Sequence, residues 1–216
     1  MHFINIMNLV TVIVTRSKSC HVKTLHTILK LNLECLRRKF KNEIVFVDDD
    51  PYKKAGVVET YMKNCDRLLF IDFGIGVDED SIKQMFEAHE GVNCLVFPGA
   101  KEGVDWDLFK TKIKEESSEP VEQMGLHFDT EVGKKVSENI YTVTETTARV
   151  WMINCKGVIK AIKDKKNGGW SIHPKTLEKF KEKGVKIYAF TAAKLIMTYT
   201  HECISNILNA AGVKAS

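Results

Sequence analysis

Four apolar runs, each followed by a segment of helical period, fill the first half of the chain and restrict it to very few architectures. The runs are Asn8–Thr15 (NLVTVIVT), Glu43–Val47 (EIVFV), Arg67–Ile71 (RLLFI) and Val92–Phe97 (VNCLVF). Between and after them lie His21–Lys39, which repeats Val22, Leu25, Ile28, Leu29, Leu33 and Leu36 at helical spacing, then Ala55–Asn64, Asp80–His89 and Asp105–Lys114. Strands that are apolar throughout rather than alternating are buried on both faces. An order of strand, helix, strand, helix therefore predicts an α/β fold with a mostly parallel central sheet flanked by helices.

The second half is less regular. Lys114–Gln123 is polar and reads as a surface loop; Gly125–Phe128 and Asn139–Glu145 read as short strands, and Ala148–Asn154 (ARVWMIN) as a strong one. Helices are expected at Gly157–Lys163 and Pro174–Lys183, with KKNGG as a turn between them. A last strand follows at Val185–Phe190, then a long helix over Thr191–Ala210. At 216 residues the chain is one domain, with a ligand-binding half over about 8–115 and a second half over 116–216. A place in a longer protein stays open.

With 32 basic and 28 acidic side chains the net charge is only +4, so nucleic acid is not the expected main partner. Cys20, Cys35, Cys65, Cys94, Cys155 and Cys203 include no C-x-x-C pair, and several lie in apolar segments. They read as free thiols in a reducing compartment, not as a disulfide framework or a zinc site. The apolar N-terminus MHFINIMNLVTVIVTRS lacks a basic leader and reads as the first core strand, which points to a soluble, cytoplasmic protein without a transmembrane segment.

In open α/β sheets ligands bind beyond the carboxyl ends of the strands. Here those ends read Thr15-Arg16-Ser17, Asp48-Asp49-Asp50, Asp72-Phe73-Gly74 and Pro98-Gly99-Ala100-Lys101. Acids crowded on one rim repel unless a cation or hydrogen-bond donors neutralise them. Neither G-x-G-x-x-G nor G-x-x-x-x-G-K-[ST] follows a strand, so the glycine-loop nucleotide sites lose support. A diphosphate held through Mg²⁺ or Mn²⁺ by carboxylates is the remaining idea.

TVIVTRS, VDDD and LFID with VDEDSI resemble the strand ends of GT-A nucleotide-sugar glycosyltransferases over residues 8–115. FPGAKEGVDWDLFK further resembles a glycosyltransferase domain of large algal DNA viruses of the chlorovirus type, linked to capsid glycosylation. The resemblance implies transfer of a hexose or deoxyhexose from a UDP-sugar to a glycan or glycoprotein, in host cytoplasm if viral, with Mn²⁺ or Mg²⁺. It places the metal motif at Asp72, with Gly74 where a second acid usually stands. Asp78 and a C-terminal histidine, His201 before His173, would complete the metal site. Thr15, Arg16, Asp48, Asp49 and Asp50 would meet the nucleoside, and Lys101, Asp105 and Trp106 the donor sugar and diphosphate. Asp105, Asp107 and Glu145 are the acids to test as the acceptor-side base.

Plainer readings stand beside these. Asp78, Asp80 and Asp105 each precede a helix and suit an N-cap. One acid of Asp48–Asp50 suits the turn before Pro51. Trp106 suits core packing, His127 a structural role, and Glu145 a solvated strand end. Two other classes remain in view: a sugar nucleotidyltransferase, and a non-catalytic interaction module of the same fold whose metal motif is broken at Gly74.

Overall fold

The computed structural model describes residues 7–87, 92–197 and 207. The elements in chain order are β1 (Asn8–Thr15), α1 (Val22–Arg38), β2 (Lys41–Asp48), α2 (Pro51–Met62), β3 (Arg67–Ile71), β4 (Ile75–Val77), α3 (Glu79–Met85), β5 (Cys94–Val96) and α4 (Trp106–Lys114). They continue with β6 (Thr130–Ser137), β7 (Ile140–Thr146), β8 (Val150–Asn154), α5 (Cys155–Ile162), α6 (Thr176–Glu182), β9 (Ile187–Phe190) and β10 (Leu195–Met197). Eight strands form one sheet in the order β2-β1-β3-β8-β5-β9-β7-β6. Its pairings make six of the eight strands run one way; β7 and β8 oppose them.

The central strands β1, β3, β8 and β5 are buried on both faces, as continuous apolar strands require, while the edge strands β2 and β6 are largely open. Along β1, Val10, Val12 and Val14 point to the side of α2, α5 and α6, while Leu9 and Ile13 point to the side of α1 and α3. β1 pairs parallel with both neighbours, so Ile13 lies between Phe46 of β2 and Ile71 of β3. Phe70 stacks on Trp151 of β8 with ring centres 4.9 Å apart, and Phe180 of α6 meets the same indole edge-on.

α1 departs from the sequence reading in an instructive way. Its boundaries agree, with His21 capping the start through Lys23 N–H and Lys39 ending it at φ 59°. Yet it buries Thr24, Thr27, Ile28, Leu31, Glu34 and Cys35, so five of the six apolar residues that betray the helix lie outside the core. Threonines serve the inner face because they reach β4. The Thr24 hydroxyl donates to Ile75 C=O at 2.9 Å, and Val77 N–H donates to the Thr27 hydroxyl at 2.8 Å.

Three parts differ from expectation. The segment after β3, read as a turn, contains β4; Gly74 supplies the φ of +74° that lets the chain double back, a region glycine favours. Gly125–Phe128, expected as a short strand, makes only an isolated bridge from Phe128 to Ala100, and the strand forms after it as β6, seven of whose eight residues are exposed so that no alternation marks it. The long helix expected over Thr191–Ala210 gives way to a turn at 191–192 and then β10, which pairs antiparallel with β4 and buries Met197. The unpaired β4 edge outcompetes helix formation there. Beyond Met197 the expectation lies outside the described residues, except that Ile207 is helical.

The five described cysteines are free. Burial lifts the Cys35 thiol to about 11, which makes it an inert apolar filler. Cys65 and Cys155 touch in the core with sulfurs 3.3 Å apart.

Replacing Trp151 with alanine removes a side chain that is buried and stacked on one face. The unfolding free energy from urea titration should fall by about 3–5 kcal/mol, while the Phe46→Ala change on the exposed edge strand should cost well under that.

Candidate active site

The rim at the carboxyl ends of β1, β2 and β3 carries a chain of alternating charges that begins on α2 and ends at Asp72. Lys54 Nζ binds Asp49 Oδ1 at 2.7 Å, and Asp49 Oδ2 accepts from Arg16 Nε at 2.8 Å. Arg16 reaches Glu102 at 3.8 Å; Glu102 Oε1 also binds Arg149 Nη1 at 3.0 Å. Arg149 Nε in turn lies 3.3 Å from Asp72 Oδ2. Five stretches far apart in sequence meet in this one network.

Each member is placed by local chemistry. Arg16 leaves β1 into a tight turn in which Ser17 and Lys18 adopt left-handed angles and Ser19 pairs back with Arg16. The guanidinium then lies over the Phe73 ring at 4.9 Å. Asp49 N–H donates to Thr15 C=O, which ties the ends of β1 and β2 together. Arg149 stands at the head of β8, which is antiparallel, so its start lies beside the ends of its parallel neighbours. Its side chain is 15% exposed and also donates from Nη2 to Phe73 C=O at 2.7 Å, while Asp72 N–H donates to Arg149 C=O. Partial burial strengthens such contacts over surface pairs.

The Asp49 hydrogen bond, followed by attraction to the acids around it, raises the Arg16 guanidinium above its usual range and keeps it charged. Burial pushes Asp49 up, but the hydrogen bonds from Lys54 and Arg16 outweigh it and hold the carboxyl below its ordinary value. Two clefts open near the network, the first lined by its chain neighbours Thr15 and Asp48 and the second by three of its members. One, of about 820 Å³, is lined by Thr15, Phe46, Asp48, Lys53 and Tyr61 among others. The second, of about 420 Å³, is lined by Lys54, Asp72, Arg149, Trp151 and residues of the α6 start.

The expected site residues divide into those on the rim and those spent elsewhere. Thr15 is buried and donates its hydroxyl to Val47 C=O. Arg16, Asp49 and Asp72 share the network. Asp48 is exposed and pairs with Lys53 at 2.6 Å. Asp50 caps α2 through Tyr52 and Lys53 N–H, and Asp78 caps α3 through Ser81 N–H. Asp105 caps α4 with Oδ1, while Oδ2 lies 3.0 Å from His127 Nε2. The Leu108 N–H first, then His127, holds the Asp105 carboxyl below its usual value. Asp107 points to solvent beside Lys110, and Glu145 is exposed on β7 opposite Glu131 of β6. Lys101 N–H donates to His127 C=O, and Trp106 opens α4 with its ring edge-on to Phe109. His173 accepts from Lys175 N–H in a turn just before the α6 residues that line the second cleft, and His201 lies outside the described residues.

A Mn²⁺ or Mg²⁺ ion calls for oxygen donors that are free to turn to it. Asp72 gives one oxygen to Arg149 and the other to Phe73 N–H. Gly74 occupies the second acid's place at an angle that strains other residues, and Asp78 is engaged as a cap. Among the described residues no three ligating side chains cluster. With Asp72 and Asp78 so engaged, the described side chains do not by themselves form a site for a metal ion.

Sequence reasoning missed Arg149, Glu102, Lys54 and Asp129. Arg149 left one signal, a cation at the mouth of an otherwise apolar run. Asp129 is 4% exposed: Oδ1 accepts from Gly99 N–H and the Thr130 hydroxyl, and Oδ2 is buried with no partner. Burial raises its carboxyl above the ordinary range, against the pull of those donors and of Arg149.

No protein-family model matches the chain, and no curated protein matches it. Among solved structures it is similar to a Drosophila β-1,4-galactosyltransferase 7 mutant in complex with manganese, UDP-Gal and xylobiose: 9% identity, 86% of this chain and 65% of that one, TM-score 0.42. A T. maritima inositol-1-phosphate CTP transferase matches at 12% identity over 97% of this chain and 98% of that one, TM-score 0.42. GalNAc-T7 with UDP, GalNAc and Mn²⁺ matches at 10% identity over 89% and 44%, TM-score 0.47. The chain spans less than two thirds of either glycosyltransferase. The ligands named are those of the three proteins.

A raised carboxyl favours the folded state below the unfolded pKa and loses that advantage as pH climbs through the folded one. Asp129→Asn keeps an acceptor for Gly99 and cannot ionise. Denaturation curves from mildly acidic to neutral pH should therefore show wild type losing stability relative to the variant as pH rises.

Proposed function

We propose that the chain is a glycosyltransferase that takes a hexose or deoxyhexose from a nucleoside-diphosphate sugar, UDP-sugar as first choice, to a hydroxyl of a glycan or glycoprotein. The observation that carries this reading is the pair of guanidiniums, Arg16 and Arg149, bridged by Glu102 on the strand-end rim near two clefts. The nucleoside would occupy the larger cleft, beside Thr15 and Asp48, with Phe46 and Tyr61 offering apolar surface to a base. The closer resemblance to algal-virus capsid glycosylation supports the glycan or glycoprotein acceptor.

The difficult step is departure of the diphosphate as the anomeric carbon becomes cation-like. Planar guanidiniums suit paired phosphate oxygens. Arg16 and Arg149 would exchange carboxylate partners for phosphate and meet the charge that grows on the leaving group. The C–O bond to the diphosphate breaks, a C–O bond to the acceptor forms, and the acceptor proton passes to a base. The Asp105–His127 pair is a suitable base, since the carboxylate orients the ring and both are accessible. Asp107 and Glu145 are the alternatives to test.

A thermal-shift series with UDP, GDP, TDP and their sugars tests the reading. UDP at a hundred times its Kd should stabilise the fold by about 2.7 kcal/mol, and the shift should persist in EDTA. Absence of any nucleotide shift would leave the non-catalytic module. Sugar activation from a nucleoside triphosphate, without transfer from a UDP-sugar, would favour the nucleotidyltransferase.

Arg149→Met should fold with reduced stability, because Asp72 and Glu102 lose their cation, and should cut transfer by about 10²-fold or more. Asp72→Asn, which removes only a carboxylate that orients the Arg149 guanidinium, should cut it by a smaller factor. Single-turnover assays on the folded variants read both outcomes.

A further inference from the structure

We propose that the outward face of α1 docks the protein on an anionic lipid bilayer. Val22, Leu25, Leu29, Leu33 and Leu36 are 63%, 45%, 54%, 56% and 74% exposed. At 100° per residue they share an arc of about 80° along the whole helix. The helix spans 17 residues, about 25 Å. Scattered exposed leucines are ordinary; four leucines and a valine in one stripe are not.

The composition of the flank selects the occupant. On one side of the stripe the helix presents His26, Arg37 and Lys30, with Lys18, Lys39 and Lys41 around its two ends. Glu34, the acid of this helix, is turned inward and held by Arg38 and Arg37. A second copy packed antiparallel by two-fold symmetry would set basic flank against basic flank, and a copy packed parallel would leave those cations without an acidic partner on the facing helix, whose one acid is turned inward. A single convex helix offers no groove for a partner segment. Leucines sunk to the acyl boundary with cations at headgroup level fit an anionic membrane surface. No helix of the described residues is long and apolar enough to cross a bilayer, so the contact is peripheral.

Vesicle co-sedimentation tests this, using phosphatidylcholine alone or with about three-tenths phosphatidylserine. Binding to the anionic vesicles at low salt should exceed binding to neutral ones at least tenfold, and should weaken at about 0.3 M salt. Leu29→Glu with Leu33→Glu should abolish it while circular dichroism and the thermal midpoint hold. Lys30→Glu with Arg37→Glu should remove the preference for anionic lipid. Should the leucine pair not fold as glutamates, Leu29→Gln with Leu33→Gln gives the same readout. Failure to bind anionic vesicles, or binding that survives the leucine changes, overturns the proposal. A concentration-dependent dimer lost with the same changes also overturns it and assigns the face to a second copy.

Discussion

The contact on which the rim depends is that of Arg149 with Asp72 and Glu102. It exists because β8 enters the sheet antiparallel between β3 and β5, which brings its first residue to the edge where its neighbours finish. A parallel strand in that slot would have put Arg149 at the far end. One reversal of direction thus supplies a partly buried cation to a rim otherwise rich in acids. Without that cation, Asp72 and Glu102 would carry neighbouring negative charge in a half-dry setting.

The same reversal explains what could and could not be read from the residues. RLLFI agrees with β3 residue for residue, because a run apolar throughout has no competing period. α1 agrees in extent but not in orientation: the leucine stripe has the helical period, whereas burial follows Thr24, Thr27 and Leu31, chosen by what β4 needs. β6 escaped because a solvated hairpin strand buries too little to alternate. β10 escaped because its reason lies in an unpaired edge more than a hundred residues earlier. The acids were visible as strand-end clusters, but which of them cap helices depended on a single hydrogen bond each. The basic partners were invisible, since Arg149 lies 77 residues from Asp72 and Lys54 acts from a helix that spacing alone started later.

Charge balance is the common thread of the site. Asp48, Asp49 and Asp72 each have a basic side chain at contact distance, and the network alternates sign from Lys54 to Asp72. Such a chain is pre-organised for exchange: a phosphate that replaces one carboxylate meets a guanidinium already oriented and, at Arg149, largely shielded from water. Asp129, buried nearby with an idle oxygen, is an acid whose ionisation opposes the fold.

The placement of β8 also governs the order in which the molecule can assemble during synthesis. β3 is complete at Ile71, but the strand that covers its open side begins at Val150. At ribosomal speeds of about 5–20 residues per second, the nascent sheet waits several seconds with a bare, wholly apolar edge. Nothing made in that interval can close the seam, since β5 also pairs through β8. Closure of the seam thus waits on a strand made late, so slowing synthesis between Ile71 and Val150 would lengthen the time β3 stands without its neighbour.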